Sequence, residues 1–478
     1  MIHIESNKII YTMAIIAFIP ILIVCAGFIQ NADSFASADL SSNIVNLFFL
    51  EKYGYLENAA EWQNGNYLAL SFYFPLSFFF ALPIYKLLLF FSVPNALSLS
   101  GFAVMLLSVI FLLFIAKKEF ASLSLGIIFL SLAFFNKISI NTFFETQRMA
   151  TIFAWIFFLA FMFKCFRIFN KKEFSFKDAV FVGLTWSLSV MAYAHFLLYG
   201  LFVFPFILLI NKFDFKKIGI VAFLVSLNLI WIIPAFSSYS DSAISIMSWF
   251  SNIPLTFFAF SLLVLSALIY FSFSEKNEVT KKFLKFNALI FAFIVSGVSS
   301  FIPVLNKFMF TLYLQYFTVV AVYFLIMKIL SSDKKVLYSV FLVVLASSAY
   351  SAVYFSDFSD RANFNNTICK EADGIAEDII EPYMFIGDSK GCYISGYLAA
   401  QHGKVTLFDG LSYSLPIHLY ESYNEIKTEI EVDCDSTVKL MKKLKAGSVI
   451  CTNEFCEKLN CIETIASTEN LQVKSLNN

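Results

Sequence analysis

Charge is what this sequence has least of. Its 478 residues include only 34 basic and 34 acidic side chains, 14% in all, where a soluble chain carries about a quarter. That shortage excludes an ordinary soluble enzyme, a disordered scaffold and a nucleic-acid binder. Familiar signatures of soluble chemistry are missing too: there is no P-loop, no G-x-G-x-x-G after a strand and no H-E-x-x-H, so phosphate cradles and helical zinc sites of those kinds are excluded. What is present instead is apolar bulk, 59% hydrophobic residues with 61 Phe. The formal net charge of zero hides a division of the chain. Residues 1–355 hold 23 basic and 15 acidic groups, net +8, and residues 356–478 hold 11 and 19, net −8.

The first part reads as a polytopic α-helical membrane domain. Eleven apolar stretches of 15–23 residues, Ala121–Phe135 and Phe196–Ile210 among them, run from Ile9–Phe28 to Val336–Phe355, near the ~20 residues that cross a bilayer as a helix. A twelfth, within residues 67–91, carries Pro75, Pro83 and Lys86. It is expected to break into short juxtamembrane helices rather than cross. Basic clusters at Lys117/Lys118, Arg167 to Lys177, Lys212 to Lys217, Lys276 to Lys285 and Lys328 to Lys335 should all lie on the cytoplasmic side. Eleven crossings then put the N-terminus in the cytoplasm, with 18 of the 23 basic residues inside. The acidic first loop, residues 30–66, falls outside. Twelve crossings, with the N-terminus outside, are the rival topology; in both, the C-terminal part is exterior.

That second part, residues 356–478, has soluble composition. Strands are expected at Tyr383–Ile386, Ser448–Cys451 and Leu471–Leu476, and helices at Cys392–Gln401 and Thr437–Lys445, giving a small α/β domain. Six cysteines fall here: Cys369, Cys392, Cys434, Cys451, Cys456 and Cys461. In an exterior domain they imply up to three disulfides with fifteen conceivable pairings. Cys25 and Cys165 lie in spans and should be inert. Gly387-Asp388-Ser389-Lys390-Gly391 fits G-x-S-x-G between an expected strand and helix, with His402, His418 and Asp409 available for a triad. A glycine-rich turn that caps the helix accounts for the same pattern.

Stronger candidates stand where membrane and exterior meet. Asp39 precedes an apolar helical pattern just beyond the first span; there it can cap the helix, take a proton from a hydroxyl or bind a metal. Glu145 and Arg148 precede the span at Met149 and can form an i,i+3 ion pair or a site. Lys86, Lys137, Arg148 and Lys307 are basic residues on the exterior side, against the usual bias. They would suit a clamp for a lipid-linked phosphate, or they snorkel to headgroups. His195, at a tight exterior turn, can contact phosphate or simply hydrogen-bond the turn.

The order of these features resembles the GT-C superfamily of integral-membrane glycosyltransferases. The matching parts are a first span, an exterior loop with Asp39 at the acidic motif position, the proline-containing segment Tyr67–Pro75, a second acidic site at Glu145 and His195 at an exterior turn. The resemblance implies inverting transfer of a sugar from a polyprenyl-phosphate donor to a glycan, lipid or protein acceptor at the exterior face of the cytoplasmic membrane. Asp39 and Glu145 would be catalytic, and Arg148, Lys307, Lys86 and His195 would bind the phosphate. No Asp-Glu or Asp-x-Asp pair stands in the first loop, so a divalent metal such as Mg or Mn, with Asp39 as its ligand, is an open expectation. No W-W-D-Y-G motif exists, which argues against an oligosaccharyltransferase. A polysaccharide polymerase or a lipid-linked oligosaccharide flippase is the alternative. Against a transporter stand the lack of an inverted repeat and of charge buried mid-span.

Overall fold

The computed structural model describes residues 2–30, 38–54, 75–91, 93–136, 139–140, 149–210, 214–233, 255–296, 310–330, 338, 340–349, 367–387, 391–408 and 417–476. Ahead of the C-terminal domain its helices are α1 (Ile2–Gln30), α2 (Ala38–Tyr53), α3 (Pro75–Leu88), α4 (Val93–Phe120), α5 (Leu123–Phe134) and α6 (Met149–Lys171). They continue with α7 (Phe176–Ala192), α8 (Phe196–Ile210), α9 (Phe215–Ser226), α10 (Leu255–Ser274), α11 (Glu278–Val295), α12 (Phe310–Leu330) and α13 (Val340–Ala349). The chain divides into two units: one holds most of α1, the second half of α4 and α5 to α13, and the other holds α2, α3, the first part of α4 and the C-terminal domain.

Among the described residues, six helical segments are long and apolar enough to cross a membrane: Lys8–Gly27, Asn95–Phe120, Met149–Lys171, Phe215–Ile233, Phe257–Ser274 and Leu312–Leu330. Burial ranks them. The Met149–Lys171 and Leu312–Leu330 segments are 78% and 83% buried, so α6 and α12 form the centre of the larger unit; Phe215–Ile233 and Phe257–Ser274, at 17% and 28%, are its rim. The stretch expected to cross at Ala121–Phe135 is the 12-residue α5, about 18 Å long against a hydrocarbon core of ~30 Å. Ser122 caps its start by accepting from Leu125 N–H, and Asn136 ends it by donating to the Leu132 carbonyl at 2.9 Å. Nine of its residues are buried, as befits a core helix wrapped by protein. Pro83 does not break α3 either: the helix starts at Pro75 and runs through Pro83, with Pro75 at the first position, where a missing N–H costs nothing.

The phenylalanines pack this unit edge to face. Trp155 of α6 meets Phe134, Phe158 and Phe196 at centroid distances of 5.4, 5.6 and 5.2 Å, all T-shaped, the arrangement ring quadrupoles prefer. Two glycines set helix approach. A Cβ on Gly183 of α7 would stand 3.1 Å from Val221 Cα of α9, and a Cβ on Gly200 of α8 would overlap the Trp186 indole, whose Nε1 donates to the Phe196 carbonyl at 3.0 Å.

In the smaller unit, a helix over residues 367–375 (α14) leads into β1 (Tyr383–Ile386), α15 (Gly391–His402), β2 (Thr406–Phe408), α16 (Ile417–Glu429), α17 (Cys434–Lys443), β3 (Ser448–Thr452), α18 (Asn453–Lys458), β4 (Thr464–Ser467) and β5 (Leu471–Ser475). The strand order is β2-β1-β3-β5-β4. β1 pairs in parallel with β2 and β3, whereas β5 runs antiparallel to β3 and β4. Helices cover both faces, so alternate residues of one apolar run enter different cores: Met384 and Ile386 pack with α16 and α17, and Tyr383 and Phe385 with α14 and α15. The turn after α17 takes its left-handed residue at Lys445, φ 62°. Gly447 is small for another reason: its Cβ would lie 2.8 Å from the Ile380 carbonyl oxygen.

Disulfides join Cys434 to Cys461 and Cys451 to Cys456. Cys369, expected as a third partner, is a free thiol buried on α14. Burial pushes it up to about 12, with the nearby Asp373 carboxylate adding to the effect. The Cys392 side chain lies outside the described residues.

Candidate functional site

Charge gives the larger unit two unlike ends. α4 ends beside the end of α6, where Arg167 pairs with Glu119. α6 ends beside the start of α7, where Lys164 pairs with Asp178, and Asn277, the cap of α11, donates to the Phe169 carbonyl at 3.0 Å. Lys328, near the end of α12, donates to the Ser274 carbonyl at the end of α10. α9 runs parallel to α7, since Gly183 faces Val221 while Asn228 donates to Ser187. Basic residues of all five clusters therefore gather at one end. The helices that start there carry side-chain caps at Ser122, Ser175, Asp214 and Asn277, each worth about 1 kcal/mol. The sequence expects this gathering from lysine placement alone.

At the opposite end the buried polar side chains among the described residues are uncharged. Gln315 of α12, 1% exposed, donates to the Ala133 carbonyl at 2.6 Å and is bonded through its carbonyl to the Ser139 hydroxyl. Ser139 also donates its N–H to Asn136 Oδ1 at 3.1 Å. Tyr316 donates to Asn287 Oδ1 at 2.9 Å, and its ring stacks on Tyr199 at 5.1 Å. His195 belongs to this end: half-buried in the α7–α8 turn, it stacks on Tyr193 at 5.1 Å. Buried amides in apolar helices are costly unless satisfied, and here they fix the seat of α12 against α5 and α11. Sequence reading missed Gln315 and Asn287, although an amide inside an apolar run is itself a signal.

Arg148 immediately precedes α6, and Lys307 precedes α12 by three residues; both helices begin at this polar end. Glu145, Arg148, Lys137 and Lys307 themselves lie outside the described residues, as do Ser389 and Asp409 and the side chains of Asp39 and His418.

The smaller unit holds Asp39 and Lys86. Asp39 is the second residue of α2, and α2 packs on α15 of the C-terminal domain and on α3. The face of α15 that turns from the sheet is small and fully buried at Ser395 and Ala399, which lets another helix approach closely. From α2 come Leu47, Phe49 and Leu50, all buried. α3 meets the far end of α2: burial, helped by the Glu51 carboxylate, raises the Tyr85 phenol to about 12. Lys86 is the next residue and exposed. Asp39 and Glu51 are twelve residues apart on one helix, ~18 Å of rise. The helix that carries Asp39 thus packs on the C-terminal domain, and α3, which carries Lys86, packs on the same helix.

His402 ends the 12-residue α15, and its Nε2 is bonded to Asp373 at 2.8 Å. Tyr397 donates to the other Asp373 oxygen at 2.9 Å. Among the described residues, no group of three or more His, Cys, Asp or Glu side chains could hold a metal ion.

No family model and no curated protein sequence matches the chain. Solved structures do. ArnT from Cupriavidus metallidurans, bound to undecaprenyl phosphate, is 11% identical with a TM-score of 0.54, over 97% of each chain. ArnT without ligand is 13% identical, with a TM-score of 0.51 over 93% of this chain and 94% of that one. The Archaeoglobus fulgidus oligosaccharyltransferase is 10% identical, with a TM-score of 0.53 over 94% of this chain and 69% of that one. Its long apolar helices and small C-terminal sheet make this chain a multi-pass membrane protein that shares the fold of these structures.

Proposed function

We propose that the protein is a membrane glycosyltransferase that moves a sugar from a polyprenyl-phosphate donor to an acceptor hydroxyl, with inversion, at the exterior face of the membrane. The basic end faces the cytoplasm, in keeping with the bias of short loops. The observation that carries the reading is likeness over nearly the whole chain to a protein crystallised with undecaprenyl phosphate. In this reaction the acceptor oxygen attacks the anomeric carbon, Asp39 takes its proton, and polyprenyl phosphate leaves. Glu145 orients the acceptor. Arg148, Lys307 and His195 receive the charge that develops on the phosphate, which charge-assisted donors stabilise strongly. A second role for Asp39, as ligand of Mg or Mn, is separated from the first by chelation.

The test uses purified full-length protein with polyprenyl-phosphate-linked sugars and follows release of polyprenyl phosphate. Asp39→Asn is expected to lower turnover by at least ~100-fold, the scale of a lost general base, with thermal unfolding unchanged. Full activity in that variant would remove Asp39 from the mechanism. Absence of turnover with every polyprenyl-linked donor, while the protein remains folded, would remove the transferase reading itself.

A further inference from the structure

A cavity of about 230 Å³ opens at the basic end, far from the proposed reaction. It is roughly the volume of eight waters. Four rings form one wall: Phe166 of α6, Phe271 of α10, and Tyr323 and Phe324 of α12. The rings touch in sequence, Phe166 to Tyr323 at 4.5 Å, Phe166 to Phe324 at 5.4 Å and Phe271 to Phe324 at 6.4 Å. The lining carries one charge of each sign, Glu275 just after α10 and Lys328 near the end of α12, together with Thr280 in the first turn of α11.

Those charges narrow the ligand. An anion entering this space would be desolvated against Glu275, and a simple cation against Lys328, so neither is matched by the site. A ligand with an ammonium and a phosphate satisfies both. The ammonium lies over aromatic faces beside a carboxylate, the setting that ring quadrupoles favour for cations. The phosphate meets the Lys328 ammonium and the threonine hydroxyl, both donors on the lining. Helix ends rich in lysine mark the headgroup level of a bilayer, and Met327, which lines the same cavity, is exposed on the outer surface.

We propose that this cavity is a binding site for a zwitterionic phosphoethanolamine group, distinct from the sugar-transfer site and independent of the reading given for it. The group can arrive as the headgroup of phosphatidylethanolamine or as soluble phosphoethanolamine. Full-length protein in detergent micelles is titrated with phosphatidylethanolamine or phosphatidylglycerol, and bound lipid is counted by native mass spectrometry. Soluble O-phosphoethanolamine is titrated in a parallel arm by thermal shift. Expected is retention of phosphatidylethanolamine at least tenfold over phosphatidylglycerol, lost in Glu275→Gln and in Lys328→Met. Binding of the soluble compound with the same sensitivity to both variants supports the site and assigns the free compound as its source; binding of the lipid alone assigns the headgroup. Glu275→Gln changes no length or packing, so it keeps the test valid if Lys328→Met unfolds. Equal retention of phosphatidylglycerol, or retention of phosphatidylethanolamine by Glu275→Gln, would overturn the proposal.

Discussion

Gly200 offers the sharpest test of how the membrane unit is packed. The first added atom in Gly200→Ala would fall on the Trp186 indole, which is 3% exposed and held by its bond to the Phe196 carbonyl at 3.0 Å. That ring also packs on Phe161 at 5.6 Å and Phe204 at 5.5 Å, so it has nowhere to turn. Relief requires α8 to move from α7 or the indole to leave its site. Overpacking of this kind costs about 1–3 kcal/mol, and the lost hydrogen bond adds about 1 kcal/mol. The expected total is about 2–4 kcal/mol, read as a fall of roughly 5 °C in the unfolding midpoint by tryptophan fluorescence in detergent. Because α8 begins at the His195 turn, the proposed transferase activity should fall with it. Gly219→Ala is the control: nothing lies within 4 Å of its added atom, and helix propensity predicts a neutral or slightly stabilising change. A double-mutant cycle isolates the contact, since Gly200→Ala should cost little once Trp186→Leu has emptied the space. An unchanged midpoint in Gly200→Ala, or full additivity in the cycle, would refute the packing argument.

Three further outcomes are expected of the C-terminal domain. Removing the Cys434–Cys461 bridge, whose cysteines are 27 residues apart, should destabilise the domain by about 3.5 kcal/mol on loop-entropy grounds. Removing Cys451–Cys456, 5 residues apart, should cost about 2 kcal/mol; chemical denaturation of Cys→Ser pairs ranks the two. Burial works to raise Glu371, but donors from the Thr468 hydroxyl at 2.7 Å and the Asn470 backbone at 2.9 Å hold its carboxyl below the ordinary 4.5. Its contribution is therefore present above that value and lost as pH falls below it. Glu371→Gln should flatten that acid limb in hydrogen exchange of β5, and an unaltered pH profile would refute the assignment. Opening the α2–α15 contact with Ala399→Trp should leave the sheet folded but speed proteolysis within α2, measured by mass spectrometry of the cleavage products.

Much of this protein was legible in its sequence, because much of it follows from rules that act along the chain. Apolar length places helices: Phe196–Ile210 is expected and observed with the same bounds. Lysine placement sorts helix ends, and β1 at Tyr383–Ile386 follows from an apolar run between turn residues. Capping at Ser175 and Asn277 is equally local.

Tertiary structure decided what depends on distant partners. Nothing near Leu123 says that α5 is enclosed by protein; its burial comes from helices such as α12, some 180 residues away, through Gln315 and the Ala133 carbonyl. Six cysteines permit many pairings, and the fold selects by bringing Cys434 beside Cys461 while it seals Cys369 into a core. The first-loop helix with Asp39 lies against α15, more than 300 residues later, because two helices with complementary faces can bury them only on each other. Scarcity of charge by itself marked a membrane protein, and the placement of the few lysines predicted which helix ends lie together. Which of the remaining polar groups meet was settled by packing, since contacts between remote segments leave no periodic trace in either one.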